Sequence, residues 1–225
     1  MNERIAVEKK ILSENDHLAA EIRGTLQQRR IPALNLVSSP GSGKTSLLEV
    51  TLKALDRRFS VGLIAGDVQT ENDAQRLRAA GGAQVQAIVT NGACHLDARM
   101  VGRALAGMNL DHMDLLVIEN VGNLVCPSSY DLGEDMKIVL ISTTEGDDKP
   151  LKYPAMFRRA AMMIVNKTDL LGLSDFTMER VEKNARSINP DLQILNLSCR
   201  TGSGIDGWIA WLTDLILHRK RPSAE

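Results

Sequence analysis

Apolar and polar positions fall into two rhythms along this chain. From residue 4 to 29, Ile11, Asn15, Leu18, Ile22 and Leu26 recur at helical spacing among Glu, Lys and Arg residues. That stripe predicts one amphipathic helix, closed by Ile31-Pro32, which either packs on the outside of a sheet or forms an arm that meets a partner. Beyond it the rhythm changes. Short apolar runs appear at Leu34–Val37, Val61–Ala65, Val85–Val89, Asp114–Glu119, Lys137–Thr143, Met162–Val165 and Gln193–Leu197. Helical patterns lie between many of them: Leu47, Leu48, Leu52 and Leu55; Glu71 to Ala80, ended by Gly81-Gly82; Leu96 to Leu105; and Ile205 to about His218, with Trp208, Leu212, Leu215 and Ile216 on one face. Regular alternation of strand and helix predicts an α/β fold. Its core is a mostly parallel central sheet of about seven strands flanked by helices, with right-handed crossovers. The expected organisation is an N-terminal amphipathic helix over 1–30 and a single globular domain over 31–225, with a polar tail from Arg219. No internal repeat or low-complexity segment interrupts it.

Composition narrows the picture. Of 225 residues, 44% are hydrophobic but only 3% aromatic, so the core is built from Val, Ile, Leu, Ala and Met. That suits a parallel sheet covered on both faces. The net charge of −1, without a long basic run, argues against a nucleic-acid partner. No apolar run reaches the ~20 residues of a membrane span. The charged segment Met1 to Lys10 has no apolar signal core, which argues against export. Three cysteines are too few and too odd in number for a disulfide framework, so a reducing cytoplasm is the expected location.

The candidate chemistry begins after the first strand. Ser38-Ser39-Pro40-Gly41-Ser42-Gly43-Lys44-Thr45 joins strand to helix, the context of a phosphate-binding loop. Glycines let successive backbone N–H groups converge on one point, and the helix N-terminus adds partial positive charge there. Ser39, Gly41, Ser42, Gly43 and Ser46 belong to this cradle. Lys44 is placed to reach the β- and γ-phosphates, and the Thr45 hydroxyl to bind Mg²⁺. Ser38 stands where the usual pattern has its first glycine. These features specify a P-loop NTPase fold.

Carboxylates at the ends of parallel strands sit at the ligand edge of such a sheet. Asp67, with Asp73 in the next helix, and Glu119 are therefore candidates for Mg²⁺ or for positioning the attacking water. Gly122 can offer its backbone N–H to a γ-phosphate. Asn123 stands beside it where a water-orienting glutamine is absent, so hydrolysis is expected to be slow and Mg²⁺-dependent.

Asn166-Lys167-Thr168-Asp169 follows a strand roughly 120 residues after the phosphate loop, and resembles the guanine-recognition motif of GTPases. A carboxylate such as Asp169 can accept both N1–H and the 2-amino group of guanine, a donor pair that adenine lacks. Asn166 can bond the O6/N7 edge, and the stem of Lys167 can cover the ring. Ser198-Cys199-Arg200 resembles the Ser-Ala-Lys loop that lies against guanine, with Cys199 in place of alanine. GTP and GDP are the expected nucleotides.

Cys94 and His95 are adjacent, and Cys126-Pro127 lies 32 residues beyond Cys94. Each follows the C-terminal end of a predicted strand, so the three can meet on one edge. Thiolate and imidazole suit Ni²⁺ or Zn²⁺, and three ligands leave room for a second set across a dimer axis. The alternative is that the cysteines are small apolar side chains and His95 opens a helix.

Taken together, these segments resemble the HypB family of nickel-insertion GTPases: the phosphate loop, Gly66-Asp67-Val68, Ala93 to Ala98, Glu119 to Pro127, Glu145 to Pro154, and Asn166 to Asp169. The resemblance covers nearly the whole chain. It implies a GTP-hydrolysing metallochaperone, dimeric on GTP or metal binding, that holds Ni²⁺ or Zn²⁺ at Cys94, His95 and Cys126. The implied partners are a HypA-type zinc metallochaperone and the large subunit of a [NiFe]-hydrogenase. Two departures stand out. Residues 1 to 30 hold no cysteine and only His17, which argues against a metal-storage motif there. Arg99 occupies the position where some members carry an extra histidine. Two other readings remain: a urease-type GTPase similar to UreG, expected to show Cys-Pro-His instead of the separated pairs, and a metal-independent regulatory GTPase.

Overall fold

A computed structural model describes residues 2–81 and 83–220. Its elements run α1 (Asn2–Gln28), β1 (Ala33–Ser38), α2 (Lys44–Leu55), β2 (Val61–Asp67), α3 (Asn72–Ala80), β3 (Ala83–Val89), α4 (Ala98–Leu105), β4 (Leu115–Glu119), β5 (Met136–Ser142), α5 (Lys149–Lys152), α6 (Pro154–Arg159), β6 (Ala160–Asn166), α7 (Met178–Ile188), β7 (Gln193–Asn196) and α8 (Ile205–Lys220). The seven strands form one sheet in the order β3-β2-β4-β1-β5-β6-β7. Every pairing in it is parallel, so the expected sheet is wholly rather than mostly parallel.

Side chains alternate between the two faces of each strand, and this divides the core. On one face Leu34, Leu36, Leu63, Val117, Leu140 and Ile164 pack against α2, α3 and α8. On the other, Ala33, Ile64, Leu116 and Ile118 meet α1 and α4. Farther along that second face Val37, Val139, Ile141, Met163 and Val165 meet α6 and α7. All strand C-termini thus open on one edge. β1 lies at the centre, where the order of connection reverses, the position at which such sheets bind ligands.

Several expectations change in detail. Ile11, the first member of the N-terminal stripe, is 51% exposed, whereas Ile22 and Leu26 are buried. Asn15 is buried with both ends of its amide bonded: its Nδ2 donates to Asp131 O at 2.8 Å and its Oδ1 accepts from Ala98 N at 2.9 Å. α7 has no counterpart in the expected elements, although Met178, Val181, Ala185 and Ile188 follow helical spacing. α5 and α6 are also additional, each opened by a proline at its first turn. α8 runs two residues past the expected His218, through Lys220, whose ammonium meets Asp114, while Arg219 meets Asp135. Gly82 and residues 221–225 lie outside the described residues.

Candidate functional site

The loop between β1 and α2 turns through Gly41 at φ +76° and Gly43 at φ +103°. Both angles fall in the left-handed region that glycine tolerates. Gly43 carries a second constraint, because a Cβ there would lie 2.4 Å from Asn166 Nδ2. That amide instead donates to Ser42 O at 2.9 Å. Asn166 therefore holds the phosphate loop from below while standing in the guanine motif. Lys167, itself at φ +60°, adds a clamp: its Nζ donates to Gly41 O at 2.8 Å.

Lys44 is enclosed and donates to Ser38 Oγ at 2.8 Å. The serine at the first-glycine position thus supplies a partner for the lysine. Burial pushes the Lys44 ammonium below its ordinary pKa, opposed by the charges of Glu119, Asp73, Glu145 and Asp67. Thr45 Oγ1 donates to Glu119 Oε1 at 2.8 Å. Glu119 is 3% exposed, and its Oε2 has no hydrogen-bond partner among the described residues. Burial raises the Glu119 carboxyl to about 7, against the pull of Lys44 and the Thr45 hydrogen bond. A hydroxyl and a carboxylate in contact, with an orphaned buried carboxylate oxygen, form a hard oxygen donor set that fits Mg²⁺.

Ser39 and Ser42 turn away from the cleft. Ser42 Oγ donates to Glu145 Oε1 at 2.6 Å, and Lys149 Nζ bridges Ser39 Oγ at 2.8 Å and Glu145 Oε2 at 2.9 Å. Burial works against ionisation of Glu145, but hydrogen bonds from Ser42 and Lys149 outweigh it and hold the carboxyl below its ordinary value. In the sequence Glu145 stands only as the first residue of the segment Glu145 to Pro154, with no role of its own. Its role as a buttress of the phosphate loop depends on a contact 103 residues distant.

Two cavities open side by side on the C-terminal edge. One, of about 460 Å³, is lined by residues that include Lys44, Thr45, Asp67, Asp73, Glu119 and Gly122. The other, of about 440 Å³, is lined by residues that include Asn166, Lys167, Asp169, Cys199 and Arg200. Gly43 and Ser46 line both, so one molecule can span them with phosphates in the first and a base in the second. Asp67 spends its carboxylate on the following turn, accepting from Gln69 N at 3.0 Å and from Thr70 N and Oγ1. Burial opposes those bonds, yet they hold its pKa below the ordinary value. Asp73 pairs at 3.4 Å with Arg76, which sequence reasoning missed; Arg76 lines the first cavity and forks onto Glu49 at 2.8 and 3.0 Å. In the second cavity Asp169 Oδ1 accepts from Ser198 Oγ at 2.6 Å, and Cys199 N donates to Asn166 Oδ1 at 3.2 Å. Ser198 is fully buried beneath the pocket. Burial pushes the Cys199 thiol to about 11, so it stays protonated.

Cys94, His95 and Cys126 converge away from both cavities. Their ligand atoms all lie within 4.8 Å of one another. Cys94 Sγ is 2.9 Å from Cys126 Sγ and 3.8 Å from His95 Nδ1, and both cysteines are free thiols. The hydrogen bond from Cys94 raises the Cys126 pKa, with burial adding to it. Burial lowers that of His95 against the pull of Asp97, keeping a neutral imidazole available to a metal. The His95 ring lies 4.0 Å from the Tyr130 ring, tilted by 35° to it. Asn123 Nδ2 donates to Cys94 O at 3.2 Å, and its Oδ1 accepts from Val125 N at 2.8 Å. The residue beside Gly122 therefore braces the Cys94 loop, and its side chain is committed there rather than to the phosphate cleft.

Residues 32–196 match the model of the CobW/HypB/UreG nucleotide-binding domain. The chain is 51% identical over 208 residues to a hydrogenase maturation factor HypB of Azotobacter vinelandii, covering 92% of this chain and 68% of that protein. It is also similar to two crystal structures, each at 38% identity. One is HypB from Helicobacter pylori in complex with nickel, with a TM-score of 0.86 over 94% of this chain and 99% of that one. The other is the hydrogenase maturation factor HypB from Archaeoglobus fulgidus, with a TM-score of 0.84 over 91% and 99%.

Proposed function

The chain belongs to the CobW/HypB/UreG family of nucleotide-binding proteins, and from that premise we propose that it is a GTP-hydrolysing metallochaperone that delivers nickel for hydrogenase maturation. The observation that carries this reading is the placement of Cys94, His95 and Cys126 on the same sheet edge as the two cavities, with Cys126 four residues after Gly122. The separated Cys-His and Cys-Pro pairs favour this reading over a urease-type GTPase.

Each part has a role. The β1–α2 loop and Lys44 hold the phosphates, and Asp169 selects guanine by accepting two donors. Thr45 and Glu119 would hold Mg²⁺, which neutralises phosphate charge when bound. Gly122 N–H senses the γ-phosphate. A Cβ at Gly122 would lie 3.0 Å from Pro40 Cγ, so this glycine permits close approach of the sensing segment to the phosphate loop. Cys94, His95 and Cys126 take the metal as cargo. The same reading implies a HypA-type metallochaperone and a hydrogenase large subunit as partners. Among the described residues no helix is long and apolar enough to cross a membrane.

The decisive experiment is titration of the purified protein with Ni²⁺ and Zn²⁺ in its apo, GDP and non-hydrolysable GTP-analogue states. Nickel binding that depends on Cys94, His95 and Cys126, with an affinity that differs between nucleotide states, is the expected result. Absence of binding at these residues, or equal nickel affinity in all three states, overturns the gated-metal reading.

A further inference from the structure

Asn123 joins the segment that reads the γ-phosphate to the Cys94 loop at the surface; a second side chain, Asn120, joins the same two segments from inside the protein. Asn120 is 1% exposed. Its Oδ1 accepts from Val121 N at 2.9 Å and from Leu96 N at 3.2 Å. Val121 precedes Gly122, and Leu96 follows His95. A carbonyl oxygen has two lone pairs, and both are used here.

The orientation of this amide is dictated by a buried chain of hydrogen bonds. Glu134 Oε1 accepts from Asn35 Nδ2 at 3.1 Å, which turns Asn35 Oδ1 toward Asn120. Asn35 Oδ1 then accepts from Asn120 Nδ2 at 3.2 Å, which leaves Asn120 Oδ1 facing the two backbone N–H groups. Lys137 anchors the far end, pairing with Glu134 and donating to Tyr130 O at 2.9 Å. Each donor fixes the direction of the next group, so the Asn120 amide cannot flip without breaking the chain. The backbone of Asn120 is tied as well, with its N donating to Leu36 O at 3.0 Å, two residues before Ser38.

Leu96 is held from a second side. A Cβ added to Gly66 would lie 2.8 Å from Leu96 Cδ1, so this side chain is seated directly on the residue before Asp67. Its backbone N–H is enclosed, and its bond to Asn120 is buried. A buried donor left unsatisfied is strongly penalised. Displacement of Val121 therefore has to be followed by Leu96 or compensated by breaking a buried bond.

We propose that Asn120 is a positioning residue that transmits nucleotide state from Val121-Gly122 to His95 and Cys94 through the Leu96 amide. This rests on the reading of the protein as a nucleotide-gated metal carrier. It goes beyond that reading by naming a buried side chain that does the gating; Asn120 borders the first cavity but is 1% exposed, its amide turned to Val121 and Leu96 instead of into the cleft.

The test compares wild type with Asn120→Ala, using NiCl₂ as the probe in GDP and GTP-analogue states. Amide hydrogen exchange is measured at Leu96 and Val121 in the same samples. In wild type the nickel affinities should differ by a factor within roughly 5–150, and the Leu96 and Val121 amides should change protection together between states. In Asn120→Ala the ratio should collapse to within about twofold of one, while both nucleotides still bind and the two amides respond independently. A wild-type ratio that persists in a folded Asn120→Ala overturns this inference alone. A ratio of one in wild type overturns the gated-metal reading itself, and this inference with it. Should Asn120→Ala fail to fold, the wild-type exchange decides: a Leu96 amide indifferent to nucleotide while nickel affinity changes overturns the role of Asn120.

Discussion

At the residue scale the first cavity is organised by a carboxyl with a divided allegiance. Glu119 is enclosed beside Lys44 and bonded to Thr45 through one oxygen only. Its pKa is raised to about 7. A carboxyl whose folded pKa lies above its unfolded value of 4.5 keeps its proton where the unfolded chain has lost it. Stability from this group is therefore full at low pH and falls as pH rises from about 4.5 to about 7. The loss is on the order of 3 kcal/mol for the nucleotide-free protein. Glu119→Gln should be free of it, so the variant should gain stability over wild type as pH rises through that window. Urea denaturation of both proteins at pH 4.5 and pH 8 checks this, and a constant difference between them refutes it. Asp169 offers the companion test at the base. Its Oδ1 is already bonded to Ser198, which fixes the carboxylate plane. Asp169→Asn exchanges an acceptor for a mixed donor and acceptor, and should weaken GTP by about 1.5–3 kcal/mol while improving xanthosine nucleotides. Competition binding with GTP and XTP reads this, and unchanged GTP affinity would remove the guanine assignment.

At the scale of elements, α1 and α4 share a joint. Asp97 caps α4 from its own chain, accepting from Met100 N at 2.7 Å, and Asn15 of α1 accepts from Ala98 N. Asn15→Ala would leave the Ala98 N–H and the Asp131 carbonyl without their partner. The expected cost is about 1–3 kcal/mol, seen as a lower urea midpoint with the denaturant slope retained. A midpoint within error of wild type would mean that water reaches the joint. This pairing also shows what the sequence could reveal. Strands buried on both faces, such as β1 and β4, read as unbroken apolar runs, and the half-exposed β3 and β7 still carry short apolar stretches, so all seven were legible to within a few residues, as was the loop that begins α2. Asn15 was legible as a member of the stripe, but not as the cap of a helix 83 residues away. α5 and α6 have four and six residues, too short for a period to appear. α7 did carry its period at Met178, Val181, Ala185 and Ile188, diluted by the charged positions between them. Cys94, His95 and Cys126 were legible because parallel strands place their C-terminal ends on one edge. The chain from Glu134 through Asn35 to Asn120 was not legible, since its partners lie 99 and 85 residues apart and nothing local marks them as a pair.

At the scale of the whole molecule, the Cys94, His95 and Cys126 set is incomplete for a four-coordinate metal. It supplies three ligand atoms, whereas tetrahedral zinc and square-planar nickel both take four. The set lies at the surface, with Cys94 exposed and Val125, next to Cys126, 59% exposed. A second copy bringing its own set would complete the coordination, and a twofold axis would make the shared site symmetric. Metal held between two chains stabilises the pair by mass action. If nucleotide state also sets the position of Cys126, GTP and nickel favour the same assembly and each raises the affinity for the other by one shared factor. The expected outcome is that the mass from light scattering doubles when nickel and a non-hydrolysable GTP analogue are both present, at one nickel per two chains. Cys126→Ala should abolish the nickel-driven part of that shift and keep GDP affinity within about twofold, since Cys126 lines neither nucleotide cavity. A stoichiometry of one nickel per chain, with a mass indifferent to nickel, would place the fourth ligand within the protomer or in solvent and remove the shared site.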